Sequence, residues 1–419
     1  MTKNLHDLPN GHISTCQICG SSNLQHIMGF GHLAPCDSLL WPRQLEQAEK
    51  TYPLNLVRCT ECSLVQINYV VAPEELFFPD YPYRSGITST LVGNLRSTGP
   101  TIMSRYDITS GLAIDIGSND GTLLSGFRDA GMDVLGVEPT NIAEIANKSG
   151  IPTIQHFFDE SLAAKIVQER GHAKVVTAAN MFAHVAKLGS LIRGVEALLE
   201  DGGLFVTESH YLLDLIETVQ YDSVYHEHLK YYSVKSIIHL FNSYDFTVVD
   251  VERIPNYGGS IRVYAMKGVG HSIKESVGRI IADEERAGLY GADIYEKFSA
   301  KVRKSKFDLQ QLVTQARATG ASVVGVGSPG RAATLLSYCK IDSDSMAYIA
   351  EQSSSLKLGL YMPGSHIQIV DEKKLLEEQP EYAVMLSWHY WEPIAAKLRA
   401  KGLRSKIVIP LPTLRILEA

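Results

Sequence analysis

From Leu112 to Ile409 the chain twice alternates short apolar, β-rich runs with stretches of helical apolar spacing. Strands separated by helices pair in parallel and need helices on their faces, so this pattern admits little but an α/β fold. The first series has strands over Leu112–Ile116, Val134–Val137, Lys174–Ala178 and Leu204–Thr207, with helices from Gly121 and Asn141 and another running to about Leu199. Two further β-rich runs, Phe246–Val251 and Ile261–Met266, are separated by Pro255, Gly258 and Gly259, which predicts an antiparallel edge on the parallel sheet. The charged stretch Ser272–Thr319 keeps helical spacing and reads as one or two long helices between lobes. A second series follows: strand Ala321–Val326, helix from Arg331, strands Met346–Ile349 and Tyr382–Leu386, helix Pro393–Ala400 and strand Lys406–Ile409.

Two α/β series, preceded by a segment unlike either, suit a chain of 419 residues, which at about 150 residues per domain has room for two or three domains. The expected boundaries are 1–70, 71–270 and 271–419, with 71–110 as a linking loop that contains Tyr81-Pro-Tyr83-Arg-Ser-Gly86. With 39 Lys+Arg against 46 Asp+Glu, the net charge of −7 gives no general attraction to nucleic acid or an anionic membrane. A small-molecule partner is expected instead, for a monomer or small homo-oligomer. Met1–Asn10 lacks the apolar core of a signal peptide and no run approaches 18 apolar residues, so a cytoplasmic protein is expected.

The N-terminal segment holds two C-x-x-C pairs, Cys16/Cys19 and Cys59/Cys62. Four thiolates on two tight turns match what tetrahedral Zn²⁺ takes, and with no ligand missing the site is predicted to be closed, structural and of consequence for the N-terminal segment only. Buried reduced cysteines or a redox pair are the alternatives. Cys36 and Cys339 stand alone and read as small core residues.

Asp115-Ile-Gly117-Ser-Asn119-Asp120-Gly121 follows a strand and opens a helix, and Glu138 ends the next strand. Glycines let a ligand lie against backbone at the helix N-terminus, while the carboxylate can accept ribose hydroxyls. The spacing D-x-G-x-x-x-G, in place of G-x-G-x-x-G, favours S-adenosylmethionine over a dinucleotide because there is no pyrophosphate to cradle. Asn180-Met-Phe-Ala-His184 sits just past another strand end and can join the same crevice. Tyr225-His-Glu227-His228, with Tyr231-Tyr232, falls after the last parallel strand. General acid/base chemistry, a metal site and satisfied structural polar groups all remain open there; the metal reading is weakened by histidines at i and i+2, which face opposite ways in an extended segment. Gly325-Val-Gly327-Ser-Pro-Gly330-Arg331 is a true G-x-G-x-x-G after a strand, followed by Glu351 and Lys357. It fits a dinucleotide, a nucleoside diphosphate gripped by Arg331 and Lys357, or close packing alone.

Together these features resemble the S-adenosylmethionine-dependent sugar C-methyltransferases of deoxysugar biosynthesis. The resemblance runs through Ile116-Gly-Ser-Asn-Asp-Gly-Thr-Leu-Leu124, Asn180-Met-Phe-Ala-His-Val185, Tyr225-His-Glu-His228, Gly258-Gly-Ser-Ile-Arg-Val-Tyr264 and Tyr361-Met-Pro-Gly364. It implies an N-terminal zinc-binding domain, a central Rossmann-like methyltransferase domain with a mostly parallel sheet, and a second Rossmann-like α/β domain for the substrate's nucleotide. It implies that His228 removes the proton next to the ketone of a nucleotide-linked 4-keto-deoxysugar, with Tyr225, Glu227 and Tyr83 close to the sugar and His184 available to the enolate oxygen. Asp115, Gly117, Asn119, Asp120, Glu138 and Asn180 become the expected cofactor residues, and Tyr83, Arg331, Lys357, Tyr257 and Tyr361 the expected substrate residues. Tyr257 stands where family members often have His, and Arg331-Ala-Ala333 where a Lys-Gly-Asn run is frequent. The rival readings are an O-methyltransferase, an NAD-dependent oxidoreductase built on the second glycine loop, and a non-enzymatic zinc module.

Overall fold

The computed structural model describes residues 6–77 and 89–418, with backbone only for 89–91. Tyr83 lies outside the described residues. By compactness the chain divides into two units, each drawn from distant segments. One comprises residues 1–25, 57–213 and 229–290, the other 26–56, 214–228 and 291–419. This differs from the three consecutive domains expected from the sequence. In particular, the Tyr225–His228 run is grouped with the C-terminal residues.

The first unit is built on a seven-stranded sheet in the order Phe246–Ile254, Ser260–Lys267, Leu199–His210, Ala173–Ala179, Leu112–Ile116, Asp133–Val137, Thr153–Ile154. The last five strands pair in parallel, and Ser260–Lys267 runs antiparallel to both its neighbours. Leu112–Ile116 is buried at every position, as a central strand covered on both faces must be. One face carries Leu95, Ile102, Leu123, Leu124, Phe127 and Val134 in a common core. The helices Ser89–Arg105 and Thr122–Asp129 approach so closely there that a Cβ on Gly126 would lie 2.0 Å from the Arg96 carbonyl oxygen. Only glycine fits that crossing.

In the cysteine-bearing part of this unit Ile13, Ile18, Leu64, Val65 and Ile67 are buried. Gly11–His12 pairs with Tyr69–Val70, and Val65–Ile67 pairs with Lys230–Tyr231, more than 160 residues later in the chain.

The second unit carries a six-stranded sheet ordered Ile369–Asp371, Ile349–Glu351, Val323–Val326, Tyr382–Met385, Lys406–Ile409, Arg415–Leu417, parallel except at the last strand. The first and last of these are three-residue strands, too short for a period-2 signal. The charged stretch forms the helices Glu275–Arg286 and Asp293–Ala318. The longer one buries Tyr295, Phe298, Val302, Leu309, Val313 and Ala316, spaced by threes, fours and sevens along one stripe. Among the described residues no helix is long and apolar enough to cross a membrane.

Candidate active site

The two C-x-x-C pairs close in the same way. Gly20 N–H donates to the Cys16 carbonyl and Ser63 N–H to the Cys59 carbonyl, and both Gly20 and Ser63 have left-handed backbone. The four Sγ atoms lie within 4.8 Å of one another, with Cys16–Cys62 and Cys19–Cys59 each at 3.4 Å. A disulfide would need about 2.05 Å, whereas a ZnS₄ tetrahedron with bonds of about 2.3 Å has edges of about 3.8 Å. The donor set therefore fits one closed zinc site. The four thiols share protons closely: hydrogen bonding with Cys16 lowers Cys19 and Cys59, and the same contacts raise Cys16.

At the carboxyl end of Leu112–Ile116 the chain turns through three left-handed residues, Gly117, Asn119 and Gly121, before the Thr122–Asp129 helix. Glu138 is buried beside this turn. One of its oxygens accepts from the Asn119 amide at 3.0 Å, the other from the Thr140 amide at 3.0 Å and the Thr140 hydroxyl at 2.7 Å. A tight left-handed loop at a helix N-terminus, with a fixed carboxylate at the next strand end, suits the aminoacyl and ribose parts of S-adenosylmethionine.

The other expected cofactor residues fall around this loop. Asp120 accepts from the Thr122 hydroxyl at 2.6 Å, and Asn180, also left-handed, donates its amide to the Glu208 carbonyl. Asp115 points within the sheet to the Thr177 hydroxyl at 2.6 Å, and burial pushes it up to about 7. His184 lies in a one-turn 3₁₀ helix, stacked on Phe77 at 5.9 Å.

Sequence reasoning missed a buried cluster in the same unit. Arg262 donates to Glu208 at 2.8 and 3.1 Å, and Asn256 Nδ2 to the other Glu208 oxygen at 3.0 Å. Glu208 and Arg262 face each other across the antiparallel pair. The Gly258-Gly-Ser-Ile-Arg262 run was the available signal. Tyr257, next to Asn256, is left-handed and approaches the His210 ring at 6.0 Å.

In the second unit His228 sits on an irregular loop. Its Nδ1 lies 2.8 Å from the Ser223 carbonyl oxygen, which can only accept, so Nδ1 carries the hydrogen. Nε2 is then the lone-pair nitrogen, and the Tyr225 hydroxyl donates to it at 2.9 Å. Burial lowers His228 to about 4 and raises Tyr225 well above its ordinary value, so at neutral pH both are uncharged. His226 points elsewhere, with Nε2 3.3 Å from the Pro53 carbonyl oxygen. Neither histidine belongs to a metal-competent cluster among the described residues. Glu227 accepts from the buried Cys36 thiol at 3.4 Å, a contact no local pattern marks.

Arg331 was expected to face phosphate, but its guanidinium is buried and bidentate to Asp222, Nε and Nη2 each at 2.8 Å, with Gln220 Oε1 at 3.0 Å. Trp388 Nε1 donates to the same Asp222 at 2.7 Å, and the Thr334 hydroxyl to the Val224 carbonyl at 3.0 Å. The start of the Arg331–Cys339 helix thus holds the loop that carries Tyr225 and His228. Lys357 reaches the Ser328 carbonyl at 2.9 Å and Asp37 at 3.4 Å, while Tyr361 bridges to Leu40 and Gln368 through backbone. Ser328 donates its amide and hydroxyl to Glu351, each at 2.8 Å, which repeats the Asn119–Glu138 arrangement at the second glycine loop.

Residues 16–77 match a family model for a zinc binding domain, 100–251 one for a methyltransferase domain, and 255–412 one for a C-methyltransferase C-terminal domain. The chain is 30% identical over 411 residues to the C-methyltransferase NovU of Streptomyces niveus, covering 97% of each protein. Among solved structures, the PH0226 protein of Pyrococcus horikoshii shares 16% identity at a TM-score of 0.36, over 45% of this chain and 96% of that one. Magnesium protoporphyrin IX methyltransferase of Synechocystis with bound S-adenosylmethionine shares 13%, at 0.33, over 42% and 79%. The full-length match, the three domain matches and the two sites described above agree, and the chain belongs to the S-adenosylmethionine-dependent C-methyltransferases with an N-terminal zinc-binding domain.

Proposed function

We propose that the chain methylates a carbon adjacent to the ketone of a nucleotide-linked 4-keto-deoxysugar, with His228 as the base. The observation that carries this reading is the tautomer of His228. A neutral imidazole whose Nδ1–H is held by a carbonyl presents Nε2 as a proton acceptor. Carbon becomes nucleophilic only when the C–H electron pair can pass into the neighbouring carbonyl as an enolate, so a base is required. S-adenosylmethionine supplies an electrophilic methyl carbon, whose sulfur takes the C–S bond pair on transfer. The Tyr225 hydroxyl, kept protonated by burial, can leave Nε2 and donate to the enolate oxygen, and His184 and Tyr83 are further candidates for that place.

Glu227, Tyr257, Lys357 and Tyr361 are the proposed substrate contacts. Arg331, already paired with Asp222, acts by holding the loop. The Ser328–Glu351 arrangement supports a nucleoside as the substrate's handle. An NAD-dependent reading of that loop predicts tight NAD(H) binding, which titration checks.

The test is solvent-deuterium exchange at the carbon next to the ketone in candidate nucleotide sugars, followed by mass spectrometry. Wild-type protein should catalyse exchange, and His228→Ala should lose it by roughly 10²-fold or more while keeping S-adenosylmethionine affinity. Methylation at an oxygen, with no exchange at that carbon, would establish the O-methyltransferase reading in its place.

A further inference from the structure

The residue between the first two cysteines that follows Cys16 is Gln17, fully buried and polar. Its amide donates to Gln66 Oε1 at 2.8 Å, and Gln66 returns its Nε2 to the Thr15 carbonyl at 3.1 Å. The Gln17 side chain then reaches away from the knuckle, Nε2 donating to the carbonyls of Ile67 at 3.1 Å and Leu229 at 3.2 Å. Leu229 is the residue after His228. The Ile67 amide donates to the same Leu229 carbonyl at 3.1 Å, and the Leu229 amide donates to Ala183 at 3.1 Å.

Lys230 continues the arrangement. It pairs with Gln66 in the sheet, is 1% exposed, and donates Nζ to the Val185 carbonyl at 2.7 Å. Ala183 and Val185 flank His184. The knuckle therefore fastens one short segment, Leu229–Lys230, whose other bonds go to the turn that carries His184 and whose preceding residue is His228.

A closed tetrathiolate site has no open position for chemistry. A rigid knuckle can act through what it holds, and displacement of a catalytic group by about 1 Å costs on the order of 10²-fold in rate. We propose that Gln17 is a positioning residue through which the zinc knuckle fixes Leu229–Lys230 and so sets the place of the turn that carries His184. The catalytic consequence rests on the place proposed for His184 beside the enolate oxygen; the mechanical link from metal to Leu229 does not.

The test uses the full chain. Hydrogen exchange by mass spectrometry is followed over peptides containing the Ile67 and Leu229 amides in wild type, in wild type stripped of zinc by a chelator, and in Gln17→Ala. Loss of zinc and loss of the Gln17 side chain should each raise exchange there by about tenfold or more, because the first loosens the turn that carries Gln17 and the second removes its two bonds to the Ile67 and Leu229 carbonyls, so the segment opens more often. Peptides around Glu138 should stay protected. Gln17→Ala should keep one zinc per chain and its S-adenosylmethionine affinity, and lose kcat by tenfold or more with KM changed less than threefold.

Unchanged exchange at Leu229 after zinc removal would overturn the proposal, and because that arm uses the wild-type protein it stands even if Gln17→Ala fails to fold. Raised exchange in Gln17→Ala with kcat at the wild-type value would overturn the positioning role. Full activity in His184→Ala would instead remove the role given to His184 and leave the exchange result intact.

Discussion

At the residue scale, two polar atoms are defined by what holds them. The Glu138 carboxylate takes three donors from Asn119 and Thr140 and is held beside the loop, so the ribose contact proposed for it is pre-organised. Glu138→Ala removes a charge-assisted contact and should weaken S-adenosylmethionine binding by about 1.5–3 kcal/mol, roughly ten- to 150-fold in Kd, read by calorimetry. An unchanged Kd would remove Glu138 from the cofactor site. The His228 lone pair is defined by its opposite ring nitrogen. Ser223 supplies only a carbonyl, so no sequence motif at that position records its part.

At the scale of elements, the Arg331–Cys339 helix and the Gln220–His228 loop are joined by a buried ion pair. Arg331 and Asp222 are 6% and 1% exposed at their side chains, and Trp388 completes the carboxylate's bonding. Removing one partner of such a pair strands the other in low dielectric, so Asp222→Ala should cost about 3–5 kcal/mol in denaturant unfolding. Arg331→Ala should lower kcat more than it raises the substrate KM, since the loop moves and no phosphate contact is lost. A rise in KM alone would return Arg331 to the phosphate role the glycine loop suggested. The G-x-G-x-x-G loop was legible because spacing of small residues after a strand is a local pattern. Where its arginine points was not, because the partner stands 109 positions earlier with no pattern linking the two.

At the scale of the molecule, acid stability follows from the buried histidines. Burial lowers both His226 and His228 to about 4, below the unfolded value near 6.5. Between those values the unfolded chain binds protons that these two rings refuse in the fold, so they make stability rise with pH through this window, partly offset by Asp115, whose carboxyl is held up to about 7 and keeps a proton in the fold that the unfolded chain has lost. Below the folded value each ring costs on the order of 3 kcal/mol of the stability present at neutral pH. Denaturation midpoints should therefore fall steeply from pH 6.5 toward 4, and less so in His226→Asn. A slope over that range as steep in His226→Asn as in wild type would show that the His226 ring does not stay neutral in the fold.

The sequence by itself determined the α/β class, the antiparallel addition at Phe246–Lys267, the zinc ligands, and the glycine loops with their carboxylates at Glu138 and Glu351. Each is written in local periods or in spacings of a few residues, and strands and turns obey those locally. Only the tertiary structure decided that residues 214–228 are grouped with the C-terminal unit, that Arg331 faces Asp222, that Cys36 meets Glu227, and that Gln17 holds Leu229. Those contacts join residues 109 to 212 positions apart. They form because a buried donor must find an acceptor wherever packing brings one, and the residue types alone do not say which of many that is.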